Sequence, residues 1–446
     1  MAHNIVVGRV AKDKKKFGEK ATIFLGRHYV KMEQTISLSS NIFMDVARTH
    51  VVLIDGKRGS GKSYTLGVIA EEMTNLPEEV SENLAILIFD TMGIFWTMKH
   101  PNQREEALLA GWNLKPEKLK NIDVYVPEGY FKEYKEKGIL ADYPLSIKTS
   151  ELDAGDWASV FGVDLMDPIG VAVEKGISLL EDSKKDYGIL DIINVINSDK
   201  TIEKNVKDAA INRFLAAETW GLFSKTGTAI KDLVSGGRVG IVDISAYSHM
   251  AGSWGIKNLV VGLISKKLLN ERIIARKIEE LKEIEAGSSF FGFEKNIEGQ
   301  NRMPLVWILI DEAHEFLPRT GKTGATDALV QLLREGRQPG ISLVLATQQP
   351  GEIHKDVITQ SDIVISHRIT AKKDIDALNS MMQTYVSADI QKHINDLPRM
   401  KGSALILDDN SERVYPMNVR PRVTWHGGES PIAIHLKAKE LLDLGL

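Results

Sequence analysis

Eight consecutive residues, Gly56-Lys57-Arg58-Gly59-Ser60-Gly61-Lys62-Ser63, have the types and spacing that a polyphosphate would require. Glycines let backbone amides approach phosphate oxygens with no Cβ in the way, and some positions in such a loop need positive φ. A lysine serves the β- and γ-phosphates, a hydroxyl reaches Mg²⁺, and a helix start turns its unpaired N–H groups toward the negative charge. Gly56, Gly59 and Gly61 shape the loop, Lys62 is the phosphate lysine and Ser63 the Mg²⁺ hydroxyl. The candidate nucleotide-binding set is Gly56, Gly59, Ser60, Gly61, Lys62, Ser63 and the following Tyr64. Lys57 and Arg58 have no part in it, because only backbone is needed at their positions.

A hydrolysing site also needs a metal ligand and a group that activates water. LVWILIDEAHEFLP is an apolar run ending on Asp311 and Glu312, which puts an acidic pair where a strand leaves its sheet. Asp311 is expected to hold Mg²⁺ through its water shell, and Glu312 to polarise the attacking water as the catalytic base. The run ISLVLATQQP brings Gln348 to a similar strand end, suited to sensing the γ-phosphate and positioning water. Phosphoryl transfer further calls for positive charge on the transition state, often from a neighbouring subunit. Arg334, Arg337, Arg48 and Arg368 are the candidates, and Arg337 is favoured because its helix lies between two site-forming strands. Asp311-Glu312-Ala313-His314 also spells the box of one helicase class. Such helicases carry a second set of motifs after the box, which is missing here, so His314 is expected to be a local helix-start residue.

These residues must be positioned by a chain of 446 residues, long enough for two or three domains or one large domain with an insertion. Hydrophobic residues make up 43% and charged residues 26%, which suits a soluble protein. No apolar run approaches the ~20 residues needed to cross a bilayer, so no membrane anchor is expected. MAHNIVVGRVAKDKKKFGEK lacks the order of a secretory signal, and the expected location is the cytoplasm. With no cysteine, disulfides, thiolate zinc sites and cysteine nucleophiles are excluded. A net charge of -4 means that any nucleic-acid contact must come from a local basic surface. The run KDKKK (Lys12 to Lys16) and Lys266-Lys267 could contribute, although such runs are usually solvated faces.

Residues 1–47 alternate apolar and polar positions between glycines and predict a small β module. From Val51 the pattern becomes strand, Gly-rich turn and helix, followed by the strand LAILIFD (Leu84 to Asp90), the rhythm of a parallel sheet. Residues 105–235 are mostly helical in pattern and read as an insertion. The core resumes with GGRVGIVDIS (Gly236 to Ser245), a long helix ending at Gly287, and the strands at Leu305–Asp311, Ile341–Gln348 and Asp362–Ile369. The expected fold is α/β, a doubly wound and mostly parallel sheet. Its core would span 48–104 and 236–428, with a C-terminal tail at 429–446.

The order VVGRV, RTHVVLIDGKRGSGKSYTLG, LIFDTMGIFW, GGRVGIVDIS, LVWILIDEAHEFLP, LLREGRQPGISLVLATQQP and LPRMKGSALI…RPRVTWHGG resembles that of the HerA/FtsK superfamily, most closely its HerA-like ATPases. The resemblance implies a RecA-like P-loop NTPase core behind a small N-terminal β-barrel, interrupted by a helical insertion. It also implies a homo-hexameric ring that hydrolyses ATP with Mg²⁺ and admits double-stranded DNA to its pore. Such proteins serve a nuclease, NurA or another effector, in DNA end processing or phage defence. On this resemblance Arg337 and Arg48 match arginines that contact nucleotide phosphate. There are two departures: the N-terminal module is short for a complete barrel, and Ile94 follows Asp90-Thr91-Met92-Gly93 where the family often has Glu. Two other readings are an ATP-gated assembly subunit of a nuclease complex that pumps no DNA, and a conjugation-type coupling protein. Glu312 argues for turnover against the first, and the missing membrane segment argues against the second.

Overall fold

Short apolar runs become strands covered on both faces, and this sets the architecture. The computed structural model describes residues 4–32, 35–183, 186–249, 253–288, 303–369, 371–382, 390–398 and 400–428. The expected C-terminal tail, 429–446, lies outside the described residues. In chain order, β1 (Ile5–Val7), α1 (Ala11–Phe17), β2 (Thr22–Met32) and β3 (Thr35–Asp45) precede β4 (Val51–Asp55) and α2 (Lys62–Thr74). Next come β5 (Leu84–Asp90), β6 (Ile122–Pro127), β7 (Tyr143–Leu145) and β8 (Ile147–Lys148). Four helices follow, α3 (Ala154–Phe161), α4 (Pro168–Glu181), α5 (Ile189–Ser198) and α6 (Lys204–Glu218), and then β9 (Phe223–Ser224). The chain continues through β10 (Val239–Asp243), α7 (Ser253–Ser288), β11 (Leu305–Ile310), α8 (Thr326–Glu335) and β12 (Ile341–Thr347). It ends with β13 (Ile363–His367), β14 (Ser403–Asp408) and β15 (Arg413–Val419), further helices and helical turns joining the elements.

Among the described residues, thirteen strands form one sheet in the order β1-β3-β2-β15-β14-β13-β4-β12-β11-β5-β10-β6-β7, while β8 and β9 pair separately. From β13 to β7 neighbouring strands run parallel, and from β14 to β2 and β3 they are antiparallel. Parallel strands covered by helices on both faces are mostly apolar and buried from end to end, as β5 and β12 are. Alternate residues of β5 then feed two cores: Ala85, Leu87 and Phe89 on one side, Leu84, Ile86 and Ile88 on the other. The first core takes in Trp157, Ile177, Ile192 and Phe214 from α3 to α6, with Val260, Ile264 and Leu268 of α7. The second takes in Leu66, Ile69 and Met73 of α2.

Two expectations change at the ends of this sheet. The segment 105–235 is not helical throughout, since β6 joins the sheet beside β10 with Ile241 opposite Val124, and β7 extends it. IDVYVP is a short, nearly uniform apolar run, and only a strand partner on hand distinguishes it from a buried helical turn. The N-terminal strands, too short a module for a complete barrel, do not close on themselves among the described residues. β2 pairs with β15, Val419 opposite Gly26, so the module continues the core sheet as its antiparallel edge. A Cβ at Gly26 would lie 2.0 Å from the Asn418 carbonyl oxygen, so the strands could not approach so closely there with any larger residue.

Candidate active site at the carboxyl edge of the sheet

The carboxyl ends of β4, β12 and β11 open side by side, because Thr347 is in register with Asp55 and Ile310 with Leu345. Everything that follows these strands therefore meets at one edge, the usual ligand edge of an open parallel sheet. After β4 the chain turns through Gly56, Gly59 and Gly61 at φ 154°, 74° and 116°. At Gly56 a Cβ would sit 2.4 Å from the Ser60 hydroxyl and 2.7 Å from the His367 Cβ, so the turn closes only with glycine there. Gly61 caps α2 with no side chain, which leaves the first N–H groups of the helix for an anion. The Lys62 ammonium folds back 3.3 Å from the Lys57 carbonyl oxygen. Burial lowers its pKa, opposed by the charges of Glu312, Asp311 and Asp55.

Ser63 and Asp311, 248 residues apart, are brought into contact, the hydroxyl donating to the Asp311 carboxylate. Burial raises the Asp311 pKa, and the Ser63 hydrogen bond opposes it. A hydroxyl and a carboxylate, both hard oxygen donors, converge at the mouth of a phosphate loop, and this donor set fits Mg²⁺. The glycine turn, Lys62 and the open N–H groups of α2 fit the triphosphate. Glu312 leaves β11 in the left-handed conformation, φ 53° and ψ 44°, with its N–H donating to Asp311 Oδ1 at 2.9 Å. The Gln348 amide donates to Glu312 Oε1, while Oε2 accepts no hydrogen bond among the described residues. Glu312 Oε2 lies 3.6 Å from His314 Nδ1, which is 3.2 Å from the Thr347 hydroxyl. Burial, with the Lys62 charge, lowers the His314 pKa, so the ring faces Glu312 as a neutral group. His314 is thus part of the acid's surroundings as well as a helix-start residue.

Three of the predicted residues lie elsewhere. Tyr64 turns from the cradle: its hydroxyl donates to Glu105 Oε2 at 2.9 Å and accepts the Arg422 N–H at 2.6 Å. Arg48 and Arg337 sit at the opposite, amino edge of the sheet. Arg48 precedes β4 and pairs with Asp13, and the Thr49 hydroxyl donates to the Arg337 carbonyl at 3.3 Å. Arg337 is exposed just before β12. Neither can reach the phosphate loop of its own chain. Arg334 is held by Asp356 at 2.6 Å, and the Arg368 carbonyl accepts the Lys57 N–H of the loop.

Other residues at this edge were not anticipated from the sequence. His367 ends β13 fully buried beneath the loop, Nε2 2.9 Å from the Thr65 hydroxyl and Nδ1 3.2 Å from the Ser403 carbonyl. The carbonyl can only accept, so Nδ1 carries the proton, and burial holds the pKa down at about 4. Asp55 is also fully buried; burial pushes it up to about 8 against one hydrogen bond from Ser366. Farther along the edge, Asp90 and Asp243 lie in register, and the charge of buried Lys257 is directed at Asp243, Asp90 and Glu315. Burial and then the Glu312 charge push Glu315 up to about 7. A carboxylate at each strand end is the only local signal for this cluster, since Lys257 comes from a helix whose sequence gives no sign of it.

The sequence family described as "Helicase HerA, central domain" matches residues 23–269. A stretch of 148 residues is 30% identical to a probable DNA double-strand break repair helicase HerA of Methanocaldococcus jannaschii, covering 31% of this chain and 27% of that protein. A stretch of 102 residues is 28% identical to the DNA double-strand break repair helicase HerA of Pyrococcus furiosus, covering 23% and 18%. Each match thus spans well under two thirds of the relative's length. In fold, the chain is similar to VirB4 of Thermoanaerobacter pseudethanolicus, with a TM-score of 0.55 at 11% identity over 90% of this chain and 96% of that one.

Proposed function

Because this chain belongs to the helicase HerA central-domain family, within the HerA/FtsK superfamily, we propose that it is an Mg²⁺-dependent ATPase acting on DNA. In this reading copies assemble as a homo-hexameric ring in the cytoplasm and translocate on double-stranded DNA for a nuclease partner, NurA-like or another effector, in end processing or defence. The observation that carries the reading is the meeting of Ser63 with Asp311 and of Gln348 with Glu312, from three separate segments.

Lys62 and the N–H groups at the start of α2 bind and orient the phosphates. Ser63 and Asp311 would hold Mg²⁺, which when bound draws charge from the β- and γ-phosphate oxygens. Glu312 receives the proton of the attacking water at its carboxylate, and Gln348 fixes the direction of that carboxylate by its amide hydrogen bond. Arg48 and Arg337 are assigned to the nucleotide of a neighbouring copy. Their place at the amino edge supports a head-to-tail contact, in which one copy's amino edge faces the next copy's carboxyl edge. Such heterologous contacts make a ring when the rotation from copy to copy closes.

The test is ATP hydrolysis by the wild type and Lys62→Ala, with and without linear duplex DNA at low and high salt, on particles imaged by electron microscopy. Wild type is expected to hydrolyse ATP faster with DNA, to lose that stimulation steeply with salt, and to form six-fold rings. Lys62→Ala is expected to be inactive. A six-fold ring that hydrolyses ATP with no response to DNA would overturn translocation in favour of the ATP-gated regulatory subunit.

A further inference from the structure

One carboxylate stands inside the lysine run of α1. Lys12, Lys14, Lys15 and Lys16 are exposed, whereas Asp13 is only 5% exposed. Its two oxygens take the Arg48 guanidinium as a fork, accepting from Nε at 2.9 Å and from Nη2 at 3.2 Å. The same guanidinium lies 6.0 Å from the centre of the Phe17 ring. A two-point contact sets the plane and direction of an arginine head, which a single contact cannot do. Asp45, the other acid whose charge reaches Arg48, is already taken. It accepts from Arg9 Nε at 2.9 Å and lies 3.2 Å from His50 Nε2. Among the described residues Asp13 is therefore the acid that holds Arg48.

Arg48 also stays available. Its side chain is 60% exposed, and an ion pair in that setting is weakened by water and salt. A terminal phosphate, with more charge than a carboxylate, can take the guanidinium over. The contact thus orients the arginine without trapping it, which a pair buried on both sides would not allow.

We propose that Asp13 is the positioning residue for Arg48, presenting its guanidinium from the amino edge toward the nucleotide of a neighbouring copy. The inference rests on the role given to Arg48 under Proposed function. Asp13→Asn keeps the size of the side chain but loses the charged fork, so Arg48 spreads over its rotamers. A misdirected charge costs transition-state stabilisation more than substrate binding.

The experiment compares wild type, Asp13→Asn, Asp13→Glu, Arg48→Ala and the Asp13→Asn/Arg48→Ala double variant, each as the same assembly. ATP turnover and melting temperature are recorded for each. Asp13→Asn is expected to lower kcat by about tenfold with KM for ATP within about twofold, and Asp13→Glu to recover most of the loss. In the double variant, Asp13→Asn should add nothing to the loss caused by Arg48→Ala, because both changes remove one interaction. Normal turnover in Asp13→Asn beside an impaired Arg48→Ala would overturn the positioning role and leave the role of Arg48 standing. An equal loss from Asp13→Asn with or without Arg48 would also overturn it, showing that Asp13 acts through the fold alone. Normal turnover in Arg48→Ala would remove the role of Arg48 and this inference with it.

Discussion

Glu312 adopts φ 53° and ψ 44°, a conformation that an L residue with a Cβ takes at a cost of about 1–2 kcal/mol. The same turn lets its N–H donate to Asp311 while its carboxylate swings to Gln348. Backbone strain at one residue thus aims the acid. Strain tolerated at a site of this kind points to function, because selection for stability alone would favour glycine or asparagine there. The prediction separates backbone from side chain. Glu312→Gly and Glu312→Ala should both lose ATP turnover by about 10²-fold or more, the scale on which a positioned acid or base contributes. The glycine variant should nevertheless be more stable than the alanine variant by about 1 kcal/mol, read from urea unfolding midpoints. Equal stability of the two would mean that the turn relaxes in solution and holds no strain.

At the scale of elements, the helix that starts at the phosphate loop is also the anchor for the end of the described chain. Glu71 on α2 is fully buried and takes Arg420 at 2.9 Å, Arg422 at 3.3 Å, and the N–H groups of Val423 and Thr424 at 3.1 and 3.0 Å. Nearby, Gly67 makes room for Arg422, whose Cζ would lie 2.5 Å from a Cβ there. Removing this carboxylate would leave buried Arg422 without its acid and buried Arg420 with Glu72 alone, 2.9 Å from its Nε. Glu71→Ala should cost about 3–5 kcal/mol, visible as a lower urea midpoint, and a loss under 1 kcal/mol would mean that the two arginines find water instead. None of this network is legible in the sequence, because Arg422 lies 351 residues from Glu71. What was legible was local: VVLID before a glycine turn, and apolar runs that each end on an acid. The strand at Ile122–Pro127 was missed because a short apolar run among helical patterns carries no period of its own. Arg48 and Arg337 were picked as phosphate contacts, but their place on the far edge depends on strand direction, which residue types do not reveal.

On the scale of the whole molecule, the sheet separates two halves of the proposed reaction. Lys62, Ser63, Asp311, Glu312 and Gln348 gather at the carboxyl ends of β4, β11 and β12, while Arg48 and Arg337 stand at the amino ends of β4 and β12. β4 alone, five residues at ~3.3 Å each, puts most of the sheet's height between them. One copy cannot close that distance without breaking β4 or β12, both central strands of the core. A second copy can, if the two edges meet. Two variants that are inactive alone should then complement each other. Glu312→Gln keeps its arginines and loses its base, and Arg48→Ala/Arg337→Ala does the reverse. Mixed in equal amounts and allowed to exchange, they should recover up to about a quarter of wild-type ATP turnover, the share of random head-to-tail contacts joining an intact site to intact arginines. Arginines that served their own chain would leave every mixture inactive, since no single copy would then hold both halves.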